Sequence, residues 1–145
     1  MSNKEFAIGH LARETGCKVP TIRYYEQVGL LPEPRRSAGN QRLFGSEHVS
    51  RLAFIQHSRQ LGFSQAQIRE LLKLTDHQDQ PCENATDIVR TQLDEVNRRI
   101  ASLSALKLEL ERMAKSCAGD SRVGSCRILE TLADISHEHC LTSEH

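Results

Sequence analysis

Five cysteines stand in this chain of 145 residues, and two of them bracket the segment SCAGDSRVGSC. Cys117 and Cys126 thus sit at the rims of a polar loop that holds Gly119 and Gly124. A third thiol, Cys82, lies 35 positions before Cys117, in TDHQDQPCEN. Thiols in such a pattern can chelate a soft metal, close a disulfide or sense oxidants. The opening MSNKEFAIGH has no signal-peptide core, and no apolar run reaches membrane-spanning length, so a soluble, cytoplasmic chain without a membrane partner is expected. In that reducing compartment metal ligation and redox sensing rank above a structural disulfide. A Cys117–Cys126 disulfide and inert thiols remain as alternatives at this point.

Other candidate groups carry less. His137, His139 and Cys140 in SHEHC could form an accessory metal site, although a frayed polar end explains them more simply. Cys17 falls in a tight turn and reads as a small buried residue, while His10, His48 and His57 read as helix-surface residues. The sequence contains no nucleotide loop, no HExxH and no nucleophile elbow, so nothing in it argues for an enzyme.

The elements that must position these thiols follow from periodicity and breaks. FAIGHLARETGCKVPTIRYYEQVGLL gives two short helices around Gly16, the second stopping at Gly29, which is a helix-turn-helix pattern. LPEPRRSAGNQRLFG, with its prolines and Gly39-Asn40, predicts a short hairpin tipped with arginine. Ser46 is expected to cap a helix whose apolar face carries Val49, Leu52, Ala53, Ile55 and Phe54, ending at Gly62. Ser64 and Gln67 then form a capping box for QAQIRELLKL. Lys and Arg exceed Asp and Glu by 11 to 6 in residues 1–75, and fall short by 8 to 13 in residues 76–145. A basic first half beside an acidic second half suits a nucleic-acid reader joined to another module.

A long helix is expected from about Thr86 to about Lys115. Val89, Leu93, Val96, Ile100, Leu103, Leu106, Leu110 and Met113 recur at steps of three and four, a coiled-coil seam with one local stammer. Roughly 30 residues at about 1.5 Å each make a rod of about 45 Å, too long for the short helices upstream to cover. Self-association as a homodimer is therefore favoured. Cys82 and Cys117 flank the rod and are separated by roughly 50 Å within one chain, whereas sulfur–metal bonds are about 2.3 Å long. A parallel pair keeps that gap. An antiparallel coiled coil instead brings Cys82 of one protomer beside the Cys117–Cys126 loop of the other, making two three-thiolate sites. The division that results is a winged helix-turn-helix DNA-binding domain at 4–75, a linker at 76–85 carrying Cys82, a dimerisation helix at 86–116, and a metal-binding loop with a tail at 117–145. The fold class is mainly α.

IGHLARETGCKVPTIRYYEQVGLLPEPRRSAGNQRLF, taken with RQLGFSQAQIRELL downstream, resembles the MerR family of bacterial transcription regulators over nearly the whole chain. The three cysteines look like those of the metal-sensing branch. The resemblance implies a homodimer that binds promoter DNA, represses or activates there in the presence of RNA polymerase, and distorts an over-long promoter spacer when loaded. It implies DNA contacts from Lys18, Thr21, Arg23, Tyr24 and Tyr25 on the second helix and from Arg35, Arg36 and Arg42 on the wing. It also implies an effector held by Cys82, Cys117 and Cys126. Sensors of monovalent copper-type ions in the family carry Ser where this chain has Cys82, so a divalent soft ion is implied. The eight-residue interval within the loop looks like that of mercury and lead sensors, and the loop lacks the His of zinc sensors. Cadmium or lead comes first, then mercury or zinc. A thiol-based redox regulator of the same fold and a metal-binding detoxification protein are the alternatives.

Overall fold

The computed structural model of the chain describes residues 4–117 and 122–134. It is mainly helical. Its contacts divide the chain into two compact units, one ending at Gln92 and one beginning at Leu93.

The first unit opens with α1 (Ile8–Thr15) and α2 (Val19–Gln27), separated by Gly16 at φ 69°. That left-handed backbone angle closes α1 and costs a glycine nothing in side-chain clash. Thr15 reinforces the turn, its hydroxyl donating to the Leu11 carbonyl (2.8 Å) and accepting from the Cys17 N–H (3.2 Å). Cys17 is buried there. The wing is the antiparallel pair β1 (Arg35–Arg36) and β2 (Arg42–Leu43), with Arg35 opposite Leu43 and Arg36 opposite Arg42. Asn40, at φ 63°, turns the hairpin. Phe6 adds a bridge to Phe44, each N–H donating to the other's carbonyl at 2.8 Å. Pattern alone does not announce so short a pairing.

Helices α3 (Ser46–Gln60) and α4 (Gln65–Asp76) follow in the same unit. Ser64 caps α4 as expected, accepting from the Gln67 N–H (3.2 Å) while Gln67 Oε1 accepts from the Ser64 N–H (2.8 Å). The cap of α3 differs from expectation. Ser46 is the first helical residue and Gly45 the cap, whose N–H donates to His48 Nδ1 at 3.0 Å. With Nδ1 accepting, the ring proton sits on Nε2, which points at the Pro32 carbonyl 3.2 Å away. His48 is therefore a buried core residue and not a surface one. The buried face of α3 runs His48, Leu52, Ile55 and Ser58, with Val49 and Phe54 half-buried, while Ala53 is exposed. Around them lie Leu11, Ile22, Tyr25, Phe44, Ile68 and Leu72, which join all four helices and the wing into one core.

Helix α5 (Glu83–Ser116) has 34 residues and starts three positions before Thr86. The early start has a local cause: the Cys82 carbonyl accepts both the N–H (3.0 Å) and the hydroxyl (3.1 Å) of Thr86. Glu83 in the first turn suits the helix dipole. Within the second unit a 3-10 turn (Val123–Ser125) leads into α6 (Arg127–Ala133), a helix in a stretch expected to be loop and tail. Ile128, Leu129 and Leu132 give it a short apolar face.

Leu52→Ala should lower stability by about 2–5 kcal/mol, because a fully enclosed side chain leaves a cavity. Ala53→Ser, one residue on, should change it by less than about 0.5 kcal/mol. Urea unfolding followed by circular dichroism checks both.

Candidate metal centre and nucleic-acid interface

The loop thiols are built into place by α5 and α6. Cys117 follows the last residue of α5, and Cys126 is the N-terminal cap of α6. Their sulfurs lie 4.0 Å apart, both half-buried and both free. Two sulfurs about 2.3 Å from one ion stand about 3.8 Å apart at a tetrahedral angle and about 4.0 Å apart at 120°. The pair thus already has a chelating span, and the residues present fit a soft metal.

Electrostatics point the same way. The Cys126 thiol is held below its ordinary pKa, chiefly by the backbone N–H of Leu129 at the start of α6. Partial burial opposes this, while the Ile128 N–H and the neighbouring Cys117 thiol assist it. A thiolate is the ligating form, so the site favours the species that binds metal. Cys17 contrasts with it, since burial raises its pKa. Cys82, in the first unit, is exposed, with its backbone fixed at the start of α5. Among the described residues of one chain, no three His, Cys, Asp or Glu side chains converge. The expected accessory cluster of His137, His139 and Cys140 lies outside the described residues.

On the reader, Lys18 and Arg23 are exposed and Thr21 is half-buried, all on or beside α2. Tyr24 is 46% exposed, and its hydroxyl donates to Gln65 Oε1 at 2.9 Å. Tyr25 is only 5% exposed. Its ring belongs to the core and holds α2 in place, while it still lines the surface depression shared with Thr21 and Tyr24. Arg35 and Arg36 are exposed, the first pairing with Glu5 (2.8 Å) and the second donating to the Asn40 carbonyl (3.1 Å). Arg42 is half-buried and bonds Glu26 Oε1 at 3.2 Å, bracing the wing on α2. Sequence reasoning missed Arg59. It comes from α3 to line one surface depression with Pro20, Thr21, Tyr24 and Tyr25, and its positive charge acts on the Tyr25 hydroxyl. Its signal was faint, a single cation at the end of a helix read only for its apolar face.

Residues 6–75 match the family described as MerR HTH family regulatory protein, and residues 49–113 the family described as MerR, DNA binding. The HTH-type transcriptional regulator HmrR of Rhizobium leguminosarum bv. viciae is 39% identical, over 88% of this chain and 97% of that protein. The chain belongs to the MerR family. The mercuric resistance operon regulatory protein of Bacillus cereus is 34% identical to this MerR chain, over 88% of it and 97% of the relative. The crystal structure of the regulator PbrR691 from Ralstonia metallidurans CH34 in complex with lead(II) superposes with a TM-score of 0.79, at 38% identity over 88% of this chain and 99% of that one. The relatives of this MerR protein are transcriptional regulators and not enzymes. No helix among its described residues is long and apolar enough to cross a membrane.

In metal-free, reduced protein, alkylation of Cys126 should outpace that of Cys17 at neutral pH, and its rate should level off at lower pH than that of an unperturbed thiol. A lowered pKa enlarges the thiolate fraction at any pH below the ordinary value, and a raised one diminishes it. Mass-spectrometric mapping of iodoacetamide adducts across a pH series checks the order.

Proposed function

We propose that this MerR protein is a metal-responsive transcription regulator, a homodimer that binds promoter DNA and takes up a divalent soft ion through Cys82, Cys117 and Cys126. The observation that carries it is the Cys117–Cys126 sulfur pair, 4.0 Å apart with its Cys126 thiol biased toward thiolate. That pair supplies two ligands, and a third thiolate from Cys82 of the other protomer would complete a trigonal set. The seam of α5 supports the dimer: Val89, Leu93, Ile100, Leu103 and Leu110 are all exposed, Leu103 by 64%. An apolar stripe of this length is covered when two such helices pair. Antiparallel pairing joins Cys82 to the partner's loop. Cadmium or lead is our first choice of ion, then mercury or zinc. The lead(II) complex of a relative with 38% identity and a mercuric-resistance regulator among the relatives support soft-metal sensing.

At the DNA, Arg23 and Lys18 reach the duplex from α2, with Thr21 and Tyr24 beside them, and Arg35 and Arg36 grip the backbone from the wing. Arg42 holds the wing at its angle through Glu26, and Arg59 adds a phosphate contact beside α2. Cys117 and Cys126, with Cys82 of the other protomer, would hold the ion, and a bound ion would tie the end of α5 to the start of α6. The ion shifts the equilibrium only by its preference for the activating shape over the repressing one. A coupling of about 1–3 kcal/mol shifts that equilibrium by about 5- to 150-fold. The cost is deformation of the DNA so that RNA polymerase can use the spacer.

Cys82→Ser, Cys117→Ser and Cys126→Ser should each abolish induction in a promoter assay run against Zn, Cd, Pb, Hg, Cu and Ag. Mixing a Cys82→Ser chain with a Cys117→Ser/Cys126→Ser chain should restore one complete site per heterodimer and part of the response. Absence of that rescue would exclude a site shared between protomers. Arg23→Ala should weaken DNA binding and flatten its dependence on salt, with a log–log slope lower by about 1. Activation by oxidants in chelator-treated protein would instead favour the redox reading, which the thiolate bias of Cys126 also suits.

A further inference from the structure

Sensing at one end of a long helix is useful only if the reader feels that helix move. The first residues of α5, from Glu83 to Gln92, belong to the same compact unit as α1 to α4. Gln92 Nε2 donates to the Leu61 carbonyl, 3.0 Å away, at the C-terminal cap of α3. The next residue, Gly62, has φ 84°, and a β-carbon built on it would collide with the Gln92 amide. Glycine at 62 therefore does two things: it permits the left-handed turn and leaves room for the glutamine to lie across it. The turn that Gln92 holds feeds straight into the Ser64–Gln67 box at the start of α4. From α4 two bonds reach the recognition helix, Tyr24 Oη to Gln65 Oε1 at 2.9 Å and Arg69 Nη2 to the Val28 carbonyl at 2.6 Å.

We propose that Gln92 is the positioning residue that transmits displacement of α5 to α2, through the 61–64 turn and the start of α4. This rests on the sensing reading above and names the joint it needs. A rigid helix tied by a donor to one turn, which is itself pinned to the recognition helix, converts a small axial shift into a reorientation of Tyr24 and its neighbours. The Leu61 carbonyl is an acceptor left over at a helix end, so a donor in place of water gives the tie its direction. A chain of contacts is only a route, and coupling has to be measured.

Three variants separate donor from bulk. Gln92→Leu keeps the volume and loses the donor, Gln92→Glu keeps the shape and turns an acceptor toward the Leu61 oxygen, and Gln92→Lys keeps a donor with enough reach. Using lead(II) and cadmium(II) as probes, the ratio of promoter output with and without metal should fall about 2- to 10-fold in the Leu and Glu variants, the effect of one hydrogen bond, and be retained in Lys. Metal stoichiometry and dimer mass should stay at the wild-type values. In metal-free protein, amide exchange at Gly62 and Phe63 should quicken in Leu and Glu but not in Lys, a readout that needs no effector. Equal induction ratios in all four proteins, with the wild type responding, overturn the inference alone. A wild type that ignores every metal overturns the sensing reading and transmission with it. Unchanged exchange in the Leu and Glu variants overturns the tie itself.

Discussion

The bare apolar seam of α5 is the constraint on which the rest depends. A single chain carries a helix of 34 residues whose leucines, isoleucine and valines face solvent along most of its length. Burial of apolar area is the main favourable term in association, at roughly 25 cal/mol per Å2, and a stripe like this is not left in water. The core of the first unit is already closed by residues from all four of its helices and its wing. The proposed pairing of two chains therefore does more than add stability. It would decide which thiols can meet, since the loop pair has two sulfurs and Cys82, the proposed third ligand, precedes α5 in the sequence.

Much of this was legible because the signals were local. Gly16 and Gly62 mark turns that need positive φ, the Ser64–Gln67 spacing encodes a reciprocal cap, and the three-four rhythm after Thr86 encodes a helix with one sticky face. What was hidden depends on tertiary context. His48 carries a polar ring that sequence assigns to the surface, yet its two nitrogens find backbone partners on either side and the ring is enclosed. Tyr24 and Tyr25 are neighbours with the same side chain, and only the rotation of α2 on the core decides that one faces out and the other in. Helix α6 was masked by the glycine-bearing loop before it, because seven residues give too little periodicity to read.

That unread helix changes the chemistry of the loop. Without it, Cys126 would be an ordinary thiol in a flexible segment. At the start of α6 the backbone N–H groups of Leu129 and Ile128 favour its thiolate. The two cysteines of the loop are thus unequal: one terminates a long helix and the other begins a short one. Charge on the reader is managed differently. Arg35 and Arg42 are already engaged by Glu5 and Glu26, so their guanidiniums are oriented before any phosphate arrives. The exposed Arg35–Glu5 pair adds little stability and costs little to exchange for a stronger anion, whereas the Arg42–Glu26 pair is partly buried.

The Phe6–Phe44 bridge has a practical corollary. Because the chain's first described residues are stitched to the base of the wing, with Glu5 reaching Arg35, anything fused ahead of them leaves the fold beside the arginine hairpin. If the wing meets DNA as proposed, an affinity handle placed there would crowd the duplex.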